Sequence, residues 1–227
     1  MHIYAIGDLH LSFSSGKPMD VFGPAWENHA HRLLQAWEAA ITEDDLVLIP
    51  GDISWAMQLK EALPDLAFLG ALPGKKLLLK GNHDYWWSSL TQVRAVLPQK
   101  VYALQNDAFA FGAYAICGAR GWLCPGASGF AAHDEKIYAR EVQRLELSLG
   151  ALPPGKIPIA MTHFPPYCEP GFDTAFTERF SRYGVKKVVY GHLHGSAHKQ
   201  AFTGVRKGVE YIFAAADYLK FQPIKIL

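Results

Sequence analysis

Cysteine is scarce in this chain of 227 residues: only Cys117, Cys124 and Cys168 occur, far apart and without a C-x-x-C pair. An odd, scattered set excludes a disulfide framework and points to a reducing, cytoplasmic home. Long apolar runs are also missing; none approaches the ~20 residues that cross a bilayer, so no membrane partner is expected. The first six residues carry neither a basic stretch nor a long apolar one, so they do not read as a signal peptide. Excess charge of one sign is absent. Against 21 acidic residues stand 22 basic ones, for a formal net charge of +1, and the densest basic spot, Lys186-Lys187, is short. Duplex nucleic acid needs a broad basic face, so long nucleic acid is excluded as a partner. No internal repeat or low-complexity segment occurs.

What the chain does have is apolar character in half its residues, enough for one domain with a sizeable core across residues 1–227. Short apolar runs at 2–6, 46–49 and 77–79 read as strands. Between and after them, the spacing of apolar residues predicts helices over 26–41, 56–72 and 89–97. Pro64 either kinks the second helix or starts a new one. Such alternation predicts a largely parallel sheet covered by helices. Residues 101–117 read as short strands joined by tight turns, and 120–133 as irregular. A strong helix follows over 135–149, and the stretch 120–150 is a candidate lid. Strands at 157–161, 188–190, 211–215 and 223–227, with a helix over 172–182, complete the reading.

Five polar motifs each follow one of these strands: Asp8-x-His10, Gly51-Asp52, Gly81-Asn82-His83-Asp84, His163, and Gly191-His192-x-His194. Open α/β sheets assemble sites at the carboxyl ends of their strands, so one shared sheet brings all five motifs to one rim. In D-x-H and H-x-H the two side chains leave the same face of an extended segment. The glycines before Asp8, Asp52, Asn82 and His192 permit sharp turns. Asp, Asn and His together suit Mn, Fe, Zn or Co better than Ca or Mg. Seven donors exceed what one such ion needs, so two ions are expected.

The ordered set D-x-H, G-D, G-N-H-D, H and G-H-x-H resembles the calcineurin-like metallophosphoesterase superfamily, over residues 8–194. The resemblance implies an α/β fold, a two-sheet αββα sandwich. Position by position, it also implies that Asp8, His10 and His194 hold one metal and Asn82, His163 and His192 the other, with Asp52 bridging. By the same resemblance His83 is catalytic and Asp84 holds its imidazole. Manganese or iron is expected, with zinc as a further candidate.

Two ions ~3.5–4 Å apart clamp a phosphoryl group and lower the pKa of a bound water towards ~7. The expected reaction is hydrolysis of a phosphomonoester or phosphodiester by in-line attack of a metal-bound hydroxide. His83 would protonate the leaving oxygen. Gly51-Asp52-Ile53-Ser54 and the aspartate at 84 depart from the Asp-Arg-Gly and glutamate of the protein Ser/Thr phosphatases, so the pattern is closer to bacterial phosphodiesterase-like branches. Two alternatives stand beside it: a non-catalytic interaction scaffold of the same fold, and a nuclease acting on short nucleic acid ends.

Around the motifs, Arg120 either clamps a phosphate in its planar fork or pairs with a loop carboxylate. Tyr85-Trp86-Trp87 either packs beneath the site or stacks on a leaving group. His29, His31 and His198 read as surface or helix-face residues, Cys168 as a bystander, and Asp217 as a support that nothing in the sequence demands.

Overall fold

The computed structural model describes residues 1–168 and 172–227. The first sheet takes its strands mostly from the first half of the chain: β1 (Ile3–Ala5), β2 (Leu46–Ile49), β3 (Lys75–Leu79) and β4 (Val101–Leu104). The second takes β5 (Phe109–Phe111), β6 (Tyr114–Ala119), β7 (Ile157–Thr162), β8 (Lys187–Tyr190), β9 (Gly204–Arg206) and β10 (Val209–Phe213). The last strand, β11 (Ile224–Lys225), returns to the first sheet and pairs antiparallel with β1. Strand order is β11-β1-β2-β3-β4 in one sheet and β5-β6-β7-β8-β10-β9 in the other. The pairs β1/β2, β2/β3, β3/β4, β6/β7, β7/β8 and β8/β10 are parallel. Their carboxyl ends therefore share a rim.

Alternation along each strand sets the layers. Ile3 and Ala5, Leu46 and Leu48, Leu77 and Leu79 face the other sheet and meet Ile116, Ile159, Met161, Val189 and Ile212. Val47, Ile49 and Leu78 face the other way, under α1 (His29–Ala40), α2 (Leu63–Ala71) and α3 (Leu90–Val96). On the far side α4 (Ala132–Gly150) and α5 (Ala175–Arg182) cover the second sheet with Leu145, Leu149, Phe176 and Phe180. The result is the expected helix-sheet-sheet-helix sandwich.

Several local expectations resolve differently. Pro64 sits in the first turn of α2 and starts that helix. Within the candidate lid, residues 132–150 form α4, whose apolar face packs into the core. His29 is buried between Trp26 and Phe221 instead of lying on the surface, because the segment before α1 folds back over it. Trp86 and Trp87 are core, whereas Tyr85 is exposed.

Beyond the packed apolar layer, main-chain hydrogen bonds link the two sheets. Gly7 N–H donates to the Ala214 carbonyl at 2.7 Å and Ala216 N–H to the Gly7 carbonyl at 3.0 Å, a parallel bridge just beyond β1 and β10. Next to it, the loops after β1 and β2 run together: Asp8 N–H bonds the Gly51 carbonyl (2.9 Å) and His10 N–H the Asp52 carbonyl (3.0 Å).

Candidate dinuclear metal site

All five motifs end parallel strands at this shared rim. Asp8 and His10 follow β1, Asp52 follows β2, Asn82 and His83 follow β3, His163 follows β7, and His192 and His194 follow β8. The backbone is forced there. Asp8, His10, Asp52 and His192 all have positive φ, at 56°, 46°, 52° and 77°. A non-glycine residue in that region costs about 1–3 kcal/mol and persists only where surrounding structure compels it. Burying one Leu or Ile contributes a similar amount, about 1.5–3 kcal/mol, so the inter-sheet layer has ample stability to impose the strain. Two glycines make room as expected: a Cβ on Gly81 would lie 2.1 Å from Asp52 Oδ1, and one on Gly191 would lie 2.1 Å from Asp8 Oδ2.

Asp8, His10, Asp52 and His194 each offer a ligand atom, and these atoms lie within 4.8 Å of one another. His10 Nε2 is 3.4 Å from His194 Nε2 and 3.7 Å from Asp52 Oδ2. His194 Nε2 is 3.5 Å from Asp8 Oδ1. Beside this group, Asn82 Oδ1 lies 2.7 Å from His163 Nε2 and 3.0 Å from His192 Nδ1, and His163 Nε2 is 3.5 Å from Asp52 Oδ2. Asp52 is therefore common to both groups. The seven expected ligands come together as two overlapping sets.

The donor chemistry fits a cation in each set. His163 Nδ1 faces the Pro50 carbonyl at 3.0 Å, which fixes its proton on that nitrogen and leaves Nε2 as a bare acceptor. That acceptor points at the carbonyl oxygen of Asn82, another acceptor. A cation at their focus would satisfy both lone pairs at 2.7 Å. The charges agree. Burial first, and then the neighbouring Asp84 and Asp8, pushes Asp52 up to about 9. Burial holds His163 and His192 down to about 3, neutral and ready to ligate. Burial also opposes charge on His194, but its hydrogen bonds to Asp217 and Asp8 outweigh that and carry it up to about 10.

A family model for calcineurin-like phosphoesterases matches residues 1–196. The chain belongs to that family. Among curated relatives, the Gene 66 protein of Mycobacterium phage L5 is 34% identical over 77 residues, covering 34% of this chain and 37% of that protein. The Gene 66 protein of Mycobacterium phage D29 is 32% identical over 84 residues, covering 37% and 40%. The chain thus spans about two fifths of the length of these relatives. Among solved structures, it resembles the phosphopantetheinyl hydrolase PptH from Mycobacterium tuberculosis, with a TM-score of 0.61 at 17% identity, covering 100% of this chain and 95% of that one. It also resembles AQ665 from Aquifex aeolicus, a protein of unknown function, with a TM-score of 0.53 at 16% identity and coverage of 99% and 95%. These two likenesses bear on the fold.

Within this calcineurin-like phosphoesterase, Asp84 needs a correction. Its buried carboxylate accepts from Ile53 N–H (2.8 Å), Ser54 N–H (3.2 Å), Trp86 Nε1–H (2.9 Å) and Gly81 N–H (2.7 Å). Asp84 thus staples the loops after β2 and β3 together, and its hydrogen bonds among the described residues do not include the His83 imidazole. His83 is instead held through its backbone N–H on Asp52 Oδ1 (2.8 Å) and by its ring, tilted against Trp55 at 4.7 Å between centroids. Burial, with the nearby His194 and Lys17, lowers its pKa from the ordinary value.

Arg120 pairs with a helix carboxylate and not the expected loop one: its guanidinium lies 3.3 Å from Glu141 of α4 and over the Trp122 ring at 4.6 Å. Asp217, just beyond β10, matters more than the sequence required. Its carboxylate lies 3.1 Å from His194 Nδ1 and 3.0 Å from His198 Nε2, so His198 is a half-buried partner of the site and not a surface residue. The signal was present: Asp217 ends an apolar run as the five motifs do, but without a flanking Gly or His.

Proposed function

We propose that the chain is a metal-dependent phosphoesterase that hydrolyses a small phosphomonoester or phosphodiester at a two-ion centre. The observation that carries this reading is the pair of acceptor sets meeting at Asp52, which needs cations to be electrostatically sound. Asp8, His10 and His194 would hold one ion, Asn82, His163 and His192 the other, and Asp52 both. Manganese or iron is the first expectation for such mixed oxygen and imidazole donors, then zinc. When bound, two such ions supply Lewis acidity to a phosphoryl group and acidify a water.

The chain's own residues do the rest. His163 and His192 are kept neutral by burial and so present lone pairs at ordinary pH. Asp52 gives up its proton as cations enter. His83 stands beside the His10 and His194 side, at 5.8 Å between its ring and that of His10. A phosphate anion beside it would offset its lowered pKa, so that its imidazole carries the proton the leaving oxygen takes. Clefts open on both sides of the centre. One of about 520 Å³ is lined by His10, His83 and His194, and one of about 440 Å³ by His192 and Phe164. Room on two sides suits a phosphorus with two substituents, which favours a diester. The near-neutral charge of +1 supports a small substrate over long nucleic acid. The likeness to PptH supports the same reaction class and no particular substrate. The three free cysteines fit a reducing, cytoplasmic setting.

The test is turnover of p-nitrophenyl phosphate and bis-p-nitrophenyl phosphate by the purified chain, with metal content measured in parallel. Turnover with Mn that vanishes on chelation and returns on reloading is the expected result. Absence of turnover with every divalent ion tried would sink the reading and leave the scaffold alternative.

A further inference from the structure

The 520 Å³ cleft has a wall unlike the rest of the site. Between β1 and α1, residues 12–28 form two short 3-10 turns, Met19–Phe22 and Pro24–Trp26. They bring Met19, Phe22, Ala25 and Trp26 against Trp55, opposite His83 and His194. Trp26 meets the rings of His10 and His194 edge-on, at 5.6 and 5.7 Å. Trp55 stacks on His10 at 4.8 Å. Phe22 is 58% exposed and lies near-parallel to Trp55, 9° apart in plane but 6.5 Å between centroids, beyond direct stacking. Apolar walls therefore begin at the metal-ligating histidines and run out to an exposed aromatic lip.

From this, and resting on the phosphoesterase reading above, we infer that the cleft receives the leaving alcohol of the substrate, and that this alcohol carries an apolar or aromatic body. Two steps lead there. The leaving oxygen must come within hydrogen-bond reach of the group that protonates it. His83 is that group, so the alcohol lies on the His83 side, in the cleft that His83 lines. The second step is chemical. Along Met19, Phe22, Ala25, Trp26 and Trp55 a sugar or other polyhydroxylic alcohol finds few partners to replace its hydrogen bonds to water, the polar His198 and Asp217 standing at the far end of the cleft. An apolar body gains from the same surface. Lys17, whose Nζ sits 3.6 Å over the Trp55 ring, is the cation at this wall. Asp217 and His198, at its far end, are turned towards each other. A volume of 520 Å³ lies within the ~300–1,000 Å³ of small-molecule sites, so the body is that of a small molecule.

The experiment uses the Mn-loaded chain with 4-alkylphenyl phosphates and the matching methyl diesters, from unsubstituted to hexyl. Alkyl groups in that position change apolar area while leaving phenol acidity almost constant. The inference expects kcat/KM to rise about three- to fourfold per methylene over the first few carbons, in whichever ester class is turned over. It also expects a 4-carboxymethyl substituent to fall below the unsubstituted ester. Phe22→Ala should flatten the rise, and Phe13→Ala, exposed and outside the cleft, should leave it intact. Equal kcat/KM along the series, or a fastest charged member, would overturn the inference while the phosphoesterase reading stands. No turnover of any member with any divalent ion would overturn that reading, and this inference with it.

Discussion

The two halves of the proposed metal centre are built from similar residues and held in different ways. In one half, His163 is wholly buried, and a backbone carbonyl, that of Pro50, fixes its ring. In the other, His194 is 33% exposed, and a side chain, Asp217, fixes its ring. The first half is sealed at His163, while its His192 lines the 440 Å³ cleft; the second faces the apolar cleft and His83. Ligands fixed by main chain cannot move without unfolding a strand end, whereas ligands fixed by a carboxylate have only a hydrogen bond to lose. On the proposed reading, the sealed half would be the anchor and the open half would face the leaving group.

The severest way to break this comparison is to remove what the halves share. Asp52→Asn should leave neither half able to hold its ion, and turnover should fall on the order of 10³-fold, with metal analysis showing loss at both positions. Retention of either ion would mean that Asp52 does not bridge. A milder cut falls on the open half alone. His83→Ala should lower turnover by about 10²–10⁴-fold, most for poor leaving groups, with metal content unchanged. Loss of metal from that variant would make His83 a ligand and not an acid.

A sharper comparison comes from Asp217→Asn, which leaves shape intact and removes the charge behind His194. Affinity at the open half should drop about 10–100-fold while the sealed half titrates as before, so a metal titration should split into two phases. One unchanged phase would show that Asp217 is not supporting the ligand.

The smallest effect is on stability. Asp52 and His194 both keep protons in the folded chain that they release when unfolded, with folded values near 9 and 10. Raised groups lose their contribution as pH rises towards the folded value, so the metal-free chain should become less stable from pH 7 to 9. His163 and His192 act oppositely, but only between about 3 and 6.5, below that window. Thermal midpoints should fall by a few degrees across pH 7–9 without metal and stay level with it. A flat metal-free profile would show that the carboxylates are not crowded.

Most of the site was legible because a motif after a buried strand carries its position with it. Apolar runs place β1, β2, β3, β7 and β8, and parallel pairing delivers their ends to one rim. What adjacency cannot tell is where a side chain points. His83 and Asp84 are neighbours, yet in the bend after β3 Asp84 turns inward to four donors while His83 faces the cleft. The role of His198 was hidden for another reason: it lies in a short 3-10 turn and meets the site through Asp217, 19 positions away in sequence. Strand β9 escaped notice because Gly204–Arg206 is three residues long and Val205 is exposed.

The bridge between Gly7 and Ala215 has a consequence for the growing chain. The first ligands to leave the ribosome, Asp8 and His10, are flanked by a residue whose hydrogen bonds wait on the stretch around 214–216. Until that stretch emerges, two strained loops are without their clamp and the nascent protein has no finished cation site. Contacts of such wide sequence separation close late. On the proposed reading, metal capture would wait on emergence of residues 214–216, and a chain truncated before that seam should leave the ribosome without metal.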